Sequence, residues 1–106
     1  MNNLKESPAR KRLTKLLDSQ IVLLDGPLGT MIQSYDLNEQ DFRNERFKDW
    51  KNDLKGNNDL LNITKPEIIQ KIHEEFIKAG ATIVETNTFN SNAPSMADYG
   101  MESLVY

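Results

Sequence analysis

Ile21-Val22-Leu23-Leu24-Asp25-Gly26-Pro27-Leu28-Gly29-Thr30 joins four apolar residues, enough for a fully buried strand, directly to a carboxylate and a glycine-bearing turn. In α/β folds the C-terminal ends of strands carry the chemistry. The arrangement returns at Ile83-Val84-Glu85-Thr86-Asn87-Thr88-Phe89-Asn90, so two short strands each deliver polar groups to one end, and the two ends are expected to line one site. Between them, Thr64-Lys65-Pro66-Glu67 has the form of a capping box with proline in the first turn. It opens a helix whose Ile68, Ile69, Ile72, Phe76 and Ile77 share a broad face, and Ala79-Gly80 closes it. The second strand, residues 82–86, follows at once, the short link expected of a βαβ unit with a parallel sheet.

Outside this unit the pattern is less regular. Residues 7–18 read as a helix started by Ser7 as N-cap and Pro8 as first helical residue. Lys5, Arg10, Lys11, Arg12 and Lys15 outnumber Glu6 and Asp18 there, which would suit a targeting or membrane-surface element. The narrow stripe of Leu13, Leu16 and Leu17 favours a surface helix packed on a domain instead. Thr30 can cap a short helix beginning at Met31 and Ile32 and fraying near Tyr35-Asp36. Residues 37–59 form a polar and aromatic insertion, functional or loose, with single helical turns expected near Asn38 and Asp41 and at Gly56-Asn57-Asn58-Asp59. Tyr35, Phe42, Phe47 and Trp50 could stack on nucleic acid, but the acidic balance favours a small satellite hydrophobic cluster. A last helix starts near Ser95 and runs toward Tyr106 without a C-cap, so the pattern stops mid-element.

The 106 residues suffice for one small domain and fall short by more than half of the roughly 250 of a closed eight-stranded α/β barrel. No stretch is long and apolar enough to span a membrane. A soluble, cytoplasmic chain without a membrane partner is the expectation. Thirteen basic and 16 acidic residues are mixed along most of the chain, unlike the one-sided basic footprint that nucleic acid demands. Cysteine is absent, which excludes a disulfide frame, a thiolate nucleophile and a cysteine-ligated zinc within these residues.

Asp25, directly after four apolar residues, should be partly desolvated, where it could hold an ammonium group or act as a general base; otherwise it accepts backbone amides of the following turn. Gly26 and Gly29 let backbone approach a ligand and leave amides for a carboxylate, although the lysine and spacing of a phosphate loop are missing. Glu85 interrupts an apolar strand, where burying its charge without a partner is costly, so it is expected to meet a cation, a hydrogen-bond cluster or a ligand. Thr86, Asn87, Thr88 and Asn90 suit an amino-acid-like ligand or tie down their own loop. His73 reads as helix-surface packing, since a single histidine cannot build a metal site. An acid/base pair of Asp25 and Glu85 in a barrel hydrolase ranks last, because their surroundings do not single out an acid from a base.

From residue 21 onward the chain resembles the start of the homocysteine-binding domain of cobalamin-dependent methionine synthases, in the homocysteine S-methyltransferase family. DGPLGT is similar to that family's DG-x-(Met/Leu)-GT signature, and MIQSY, DFR-x-ERF, DW, DLKGNNDLL, KPEII, AGA, ETNTFNS and MADY-x-MESL follow in the expected order. The resemblance implies an α/β fold: an N-terminal fragment of a (β/α)8 TIM barrel, about the first two β/α units, in residues 21–106, behind an N-terminal helical extension in residues 1–20. It implies methyl transfer from methylcobalamin, recharged by methyltetrahydrofolate, to homocysteine activated by a zinc on three cysteines, giving methionine. Asp25, Gly26, Gly29 and Thr30, with Glu85, Thr86, Asn87 and Thr88, would then bind homocysteine. The implied partners are the remaining barrel and the cobalamin and folate domains. The zinc cysteines belong to later strands, so this stretch by itself is expected to bind neither cofactor and to be inactive. Pro27 stands where the family has a small residue, and Lys51-Asn52 where related chains often have Pro-Cys. The alternative is a non-catalytic amino-acid-binding or interaction fragment.

Overall fold

The computed structural model describes residues 5–106; the first four residues of the predicted extension lie outside them. Six helices, α1 (Pro8–Ser19), α2 (Leu28–Gln33), α3 (Glu39–Arg43), α4 (Leu61–Thr64), α5 (Pro66–Lys78) and α6 (Ala93–Ala97), are joined by loops and two 3-10 turns, Asn58–Leu60 and Glu102–Leu104. None of the described helices is long and apolar enough to cross a membrane.

The two predicted strands meet, in parallel, at a single bridge between Leu24 and Ile83. The amides of Thr82 and Ile83 donate to the Leu23 carbonyl at 2.9 and 3.2 Å, and the Asp25 amide donates to the Ile83 carbonyl at 3.0 Å. The expectation of a fully buried first strand is corrected: Ile21, Leu23 and Leu24 are 87%, 51% and 61% exposed. A parallel strand is buried only when neighbours flank it and helices cover both faces. Here each segment has one partner.

The core lies instead where α2, α4 and α5 meet the segment from residue 37 to 59. Leu54, Leu60, Leu61, Ile72 and Met101 are fully buried, with Ile32, Phe42, Phe47, Ile69 and Met96 around them. The insertion therefore supplies core, not a satellite cluster. Glu39 and Arg43 pin it. Arg43 donates to Glu39 Oε1 at 2.8 Å and to the carbonyls of Trp50 and Asn52 at 2.6 and 2.7 Å, while the amides of Leu54 and Lys55 donate to Glu39 at 2.6 Å each. Burial pushes the Glu39 carboxyl up, but those two amides and the Arg43 guanidinium outweigh it and hold the group below the ordinary value of 4.5. Trp50 ties the insertion to the far end of the chain through Nε1, which donates to the Tyr99 carbonyl at 2.8 Å.

Local starts and stops differ from the sequence pattern in ways the packing explains. Ser7 caps α1 as predicted, accepting from the Arg10 amide, but α1 buries no residue and Leu17 is 58% exposed, so it is not a packed surface helix. The capping box forms at α3, where Asn38 and Asp41 exchange bonds of 2.9 Å, and not at α5. There Lys65 is the N-cap without a side-chain bond, because Thr64 is still part of α4, where its hydroxyl donates to the Leu60 carbonyl at 3.3 Å. α2 starts at Leu28 with Pro27 as its cap, three residues before the predicted cap Thr30. The last predicted helix is split: α6 ends at Ala97, and Gly100, with φ of +66°, turns the chain into the second 3-10 turn.

Candidate functional site

The parallel bridge brings the ends of both segments to one place. A cleft of about 600 Å³ opens there, walled by Asp25, Gly26 and Gly29 on one side and residues 85–88 on the other, with Asn58 and Asp59 between them. Of the eight predicted site residues only Thr30 is not in the wall; it is exposed, on α2.

Asp25 is the best-defined group. Its side chain is 3% exposed. Oδ2 accepts the Glu85 amide at 3.0 Å, so the carboxylate caps the opposite segment rather than its own turn. Oδ1 is buried without a hydrogen-bond partner. His73 Nδ1, on α5, lies 3.9 Å from Oδ2 and is likewise buried and unpartnered.

Gly26 lies close against α5. A Cβ there would stand 2.6 Å from Phe76 Cε1, so the turn rests directly on α5. At Gly29 a Cβ would meet only Asn58 Nδ2, at 3.9 Å, an ordinary contact.

On the other wall, Asn87 is buried and its side-chain Nδ2 donates to the Asn58 carbonyl at 2.8 Å and to Asn62 Oδ1 at 3.2 Å, while its backbone carbonyl accepts from Asn62 Nδ2 at 2.6 Å. It braces the wall. Asp59 does the same for the following loop, accepting from the Asn90 amide and the Ser91 hydroxyl, both at 2.8 Å. Thr86 and Thr88 are exposed, their hydroxyls 2.7 Å apart, which leaves one hydroxyl proton of the pair for another acceptor. Glu85 is exposed, which corrects the expectation of a buried partner: a carboxylate in water bears no desolvation penalty to be compensated.

The cleft thus combines exposed hydroxyls with three carboxylates, those of Asp25, Asp59 and Glu85, and one buried oxygen with no partner. That arrangement favours a cationic group at Asp25. Asn58, Asp59 and His73 were not foreseen as site residues. The turn-like Gly56-Asn57-Asn58-Asp59 hides the first two, but His73 was findable: it stands four residues after Ile69 and three before Phe76, on the face α5 turns to the core. Among the described residues no three His, Cys, Asp or Glu side chains converge as a metal site. A family model described as homocysteine S-methyltransferase matches residues 22–106.

Proposed function

Because the chain belongs to the homocysteine S-methyltransferase family, we propose that its cleft is the amino-acid half of a homocysteine site. The buried, unpartnered Oδ1 of Asp25 carries this reading. An ammonium group set against it would gain a charge-assisted hydrogen bond and relieve a buried oxygen that otherwise lacks a donor. Thr86 and Thr88 supply hydroxyls to the polar end of the ligand, Asn87 keeps them in place, and the Gly26 turn lets α2 and α5 close behind Asp25.

The reaction proposed is transfer of a methyl group to the homocysteine sulfur, giving methionine. The resemblance to cobalamin-dependent methionine synthases extends the proposal to methylcobalamin as donor, recharged by methyltetrahydrofolate in further domains. It also extends it to a (β/α)8 barrel of which residues 21–106 form the first units. The parallel register of Leu24 with Ile83 and the exposed apolar flanks of both segments support the barrel reading. A zinc ion on cysteines does not fit these residues, since the sequence has no cysteine and the described residues hold no converging set of metal ligands. What this chain supplies is binding and orientation of the amino-acid end.

A second reading, a non-catalytic amino-acid-binding fragment, is favoured by the same lack of thiolates beside a formed Asp25 pocket. One experiment tests the pocket that both readings share. The chain is incubated with homocysteine and methylcobalamin, and homocysteine binding is measured by calorimetry. Saturable binding weakened at least about tenfold in Asp25→Asn, without methionine formation, is expected of the isolated chain. No binding would overturn the pocket, and methionine above the background without protein would overturn the passive role.

A further inference from the structure

Asp25 has a neighbour that the proposed pocket leaves without a role. His73 Nδ1 lies 3.9 Å from Asp25 Oδ2, and both Nδ1 and Asp25 Oδ1 are buried without hydrogen-bond partners. A single buried polar atom without a partner is already unfavourable. Two on adjoining side chains point to one shared purpose. The Glu85 amide anchors the carboxylate through Oδ2 alone. With one anchor, rotation about the Cβ–Cγ bond is soft, because such terminal torsions are broad. A second donor would fix the plane of the carboxylate.

His73 is mounted to serve as that donor. Its helix is seated by the buried Ile69 and Ile72 and by Phe76, whose ring lies against Gly26, the residue next to Asp25. We propose that His73, with its proton on Nδ1, is a positioning residue that fixes the plane of the Asp25 carboxylate, so that Oδ1 meets the ammonium group of an α-amino acid when one binds in the cleft. The proposal deepens the homocysteine-pocket reading and rests on it. The 3.9 Å separation exceeds a hydrogen bond by about 1 Å, a shift within reach of side-chain rotation as ligand binds.

Two measurements on the full chain test it. Long-range proton–nitrogen NMR of the imidazole reports which ring nitrogen carries the proton. The Nδ1–H form is expected to predominate in the wild type and to recede in Asp25→Asn. Predominance of Nε2–H in both proteins overturns the proposal, whatever the ligand data show. The second measurement compares L-homocysteine with 4-mercaptobutanoate, which lacks the amino group, in the wild type, His73→Phe and His73→Asn. The asparagine side chain places an amide nitrogen where Nδ1 stands. His73→Phe is expected to weaken homocysteine binding about tenfold while mercaptobutanoate changes by less than about twofold, and His73→Asn should recover most of the loss. Equal weakening of both ligands, or a failure of His73→Asn to rescue although its melting temperature matches the wild type, overturns the positioning role. Absence of wild-type homocysteine binding instead overturns the pocket, and this role with it, an outcome distinct from a pocket that binds but ignores His73.

Discussion

Asp25 and Glu39 are both held by backbone amides, yet they are fixed for different ends. Glu39 has every oxygen engaged, by Arg43 and by the amides of Leu54 and Lys55, and serves only to hold the segment of residues 37–59. Its lowered pKa sets the sign of a pH effect. A carboxyl depressed in the folded state stabilises the fold fully above its unfolded value of 4.5, and that contribution disappears as pH falls through the folded value. Glu39→Gln should therefore destabilise by about 1 kcal/mol at neutral pH, an amount reduced because the side chain is one third exposed. Urea titrations at a series of pH values should show the difference from wild type shrinking below pH 4.5. A difference constant with pH would show that the carboxylate charge is not what matters. Gly26→Ala belongs to the same scale: its methyl group would press on the Phe76 ring, so a loss of about 1–3 kcal/mol is expected in the same titrations. Unchanged stability would mean that the turn does not rest on α5 as described.

At the scale of elements, much of the helical content was legible. α1 and α5 were fixed by Ser7-Pro8 and by the Ile69, Ile72 and Phe76 spacing, because caps and 3.6-residue periodicity are local signals. The strands were half legible. Leu24 and Ile83 pair in parallel and bring the two segment ends together, but among the described residues only that one bridge forms, and burial depends on neighbours that a local pattern does not report. Thr64 does not cap α5 because it is the last residue of α4, which leaves Lys65 at the cap position, and the insertion escapes local patterns because its buried Phe42, Phe47 and Leu54 follow neither strand nor helix spacing. In the candidate site, Asp25 and residues 85–88 are readable as strand ends and His73 as a residue on the core face of α5, whereas Asn58 and Asp59 reach the cleft only through tertiary packing. The capping box observed at α3 carries an expectation of its own. Asn38→Ala should destabilise by about 1 kcal/mol in chemical denaturation, because the Asp41 amide loses its acceptor. No change would assign α3 to packing by Phe42 alone.

For the molecule as a whole, the core and the cleft are held by different parts of the chain. The core depends on α2, α4, α5 and the insertion, so Leu61→Ala should cost about 2–5 kcal/mol, read as a lowered denaturation midpoint. The cleft depends on the alignment of two segments that keep large apolar side chains in water, Ile21 and Phe89 being 87% and 92% exposed. Exposed apolar surface beside unpaired strand edges favours association, so the isolated chain should self-associate in sedimentation at micromolar concentration. A monomer with a single cooperative thermal transition would contradict that. The most direct test of the site is calorimetric titration of L-homocysteine into the wild-type chain and Asp25→Asn. The pocket described here predicts saturable binding that Asp25→Asn weakens at least about tenfold. Equal affinity in the two proteins would show that the buried carboxylate does not receive the amino group.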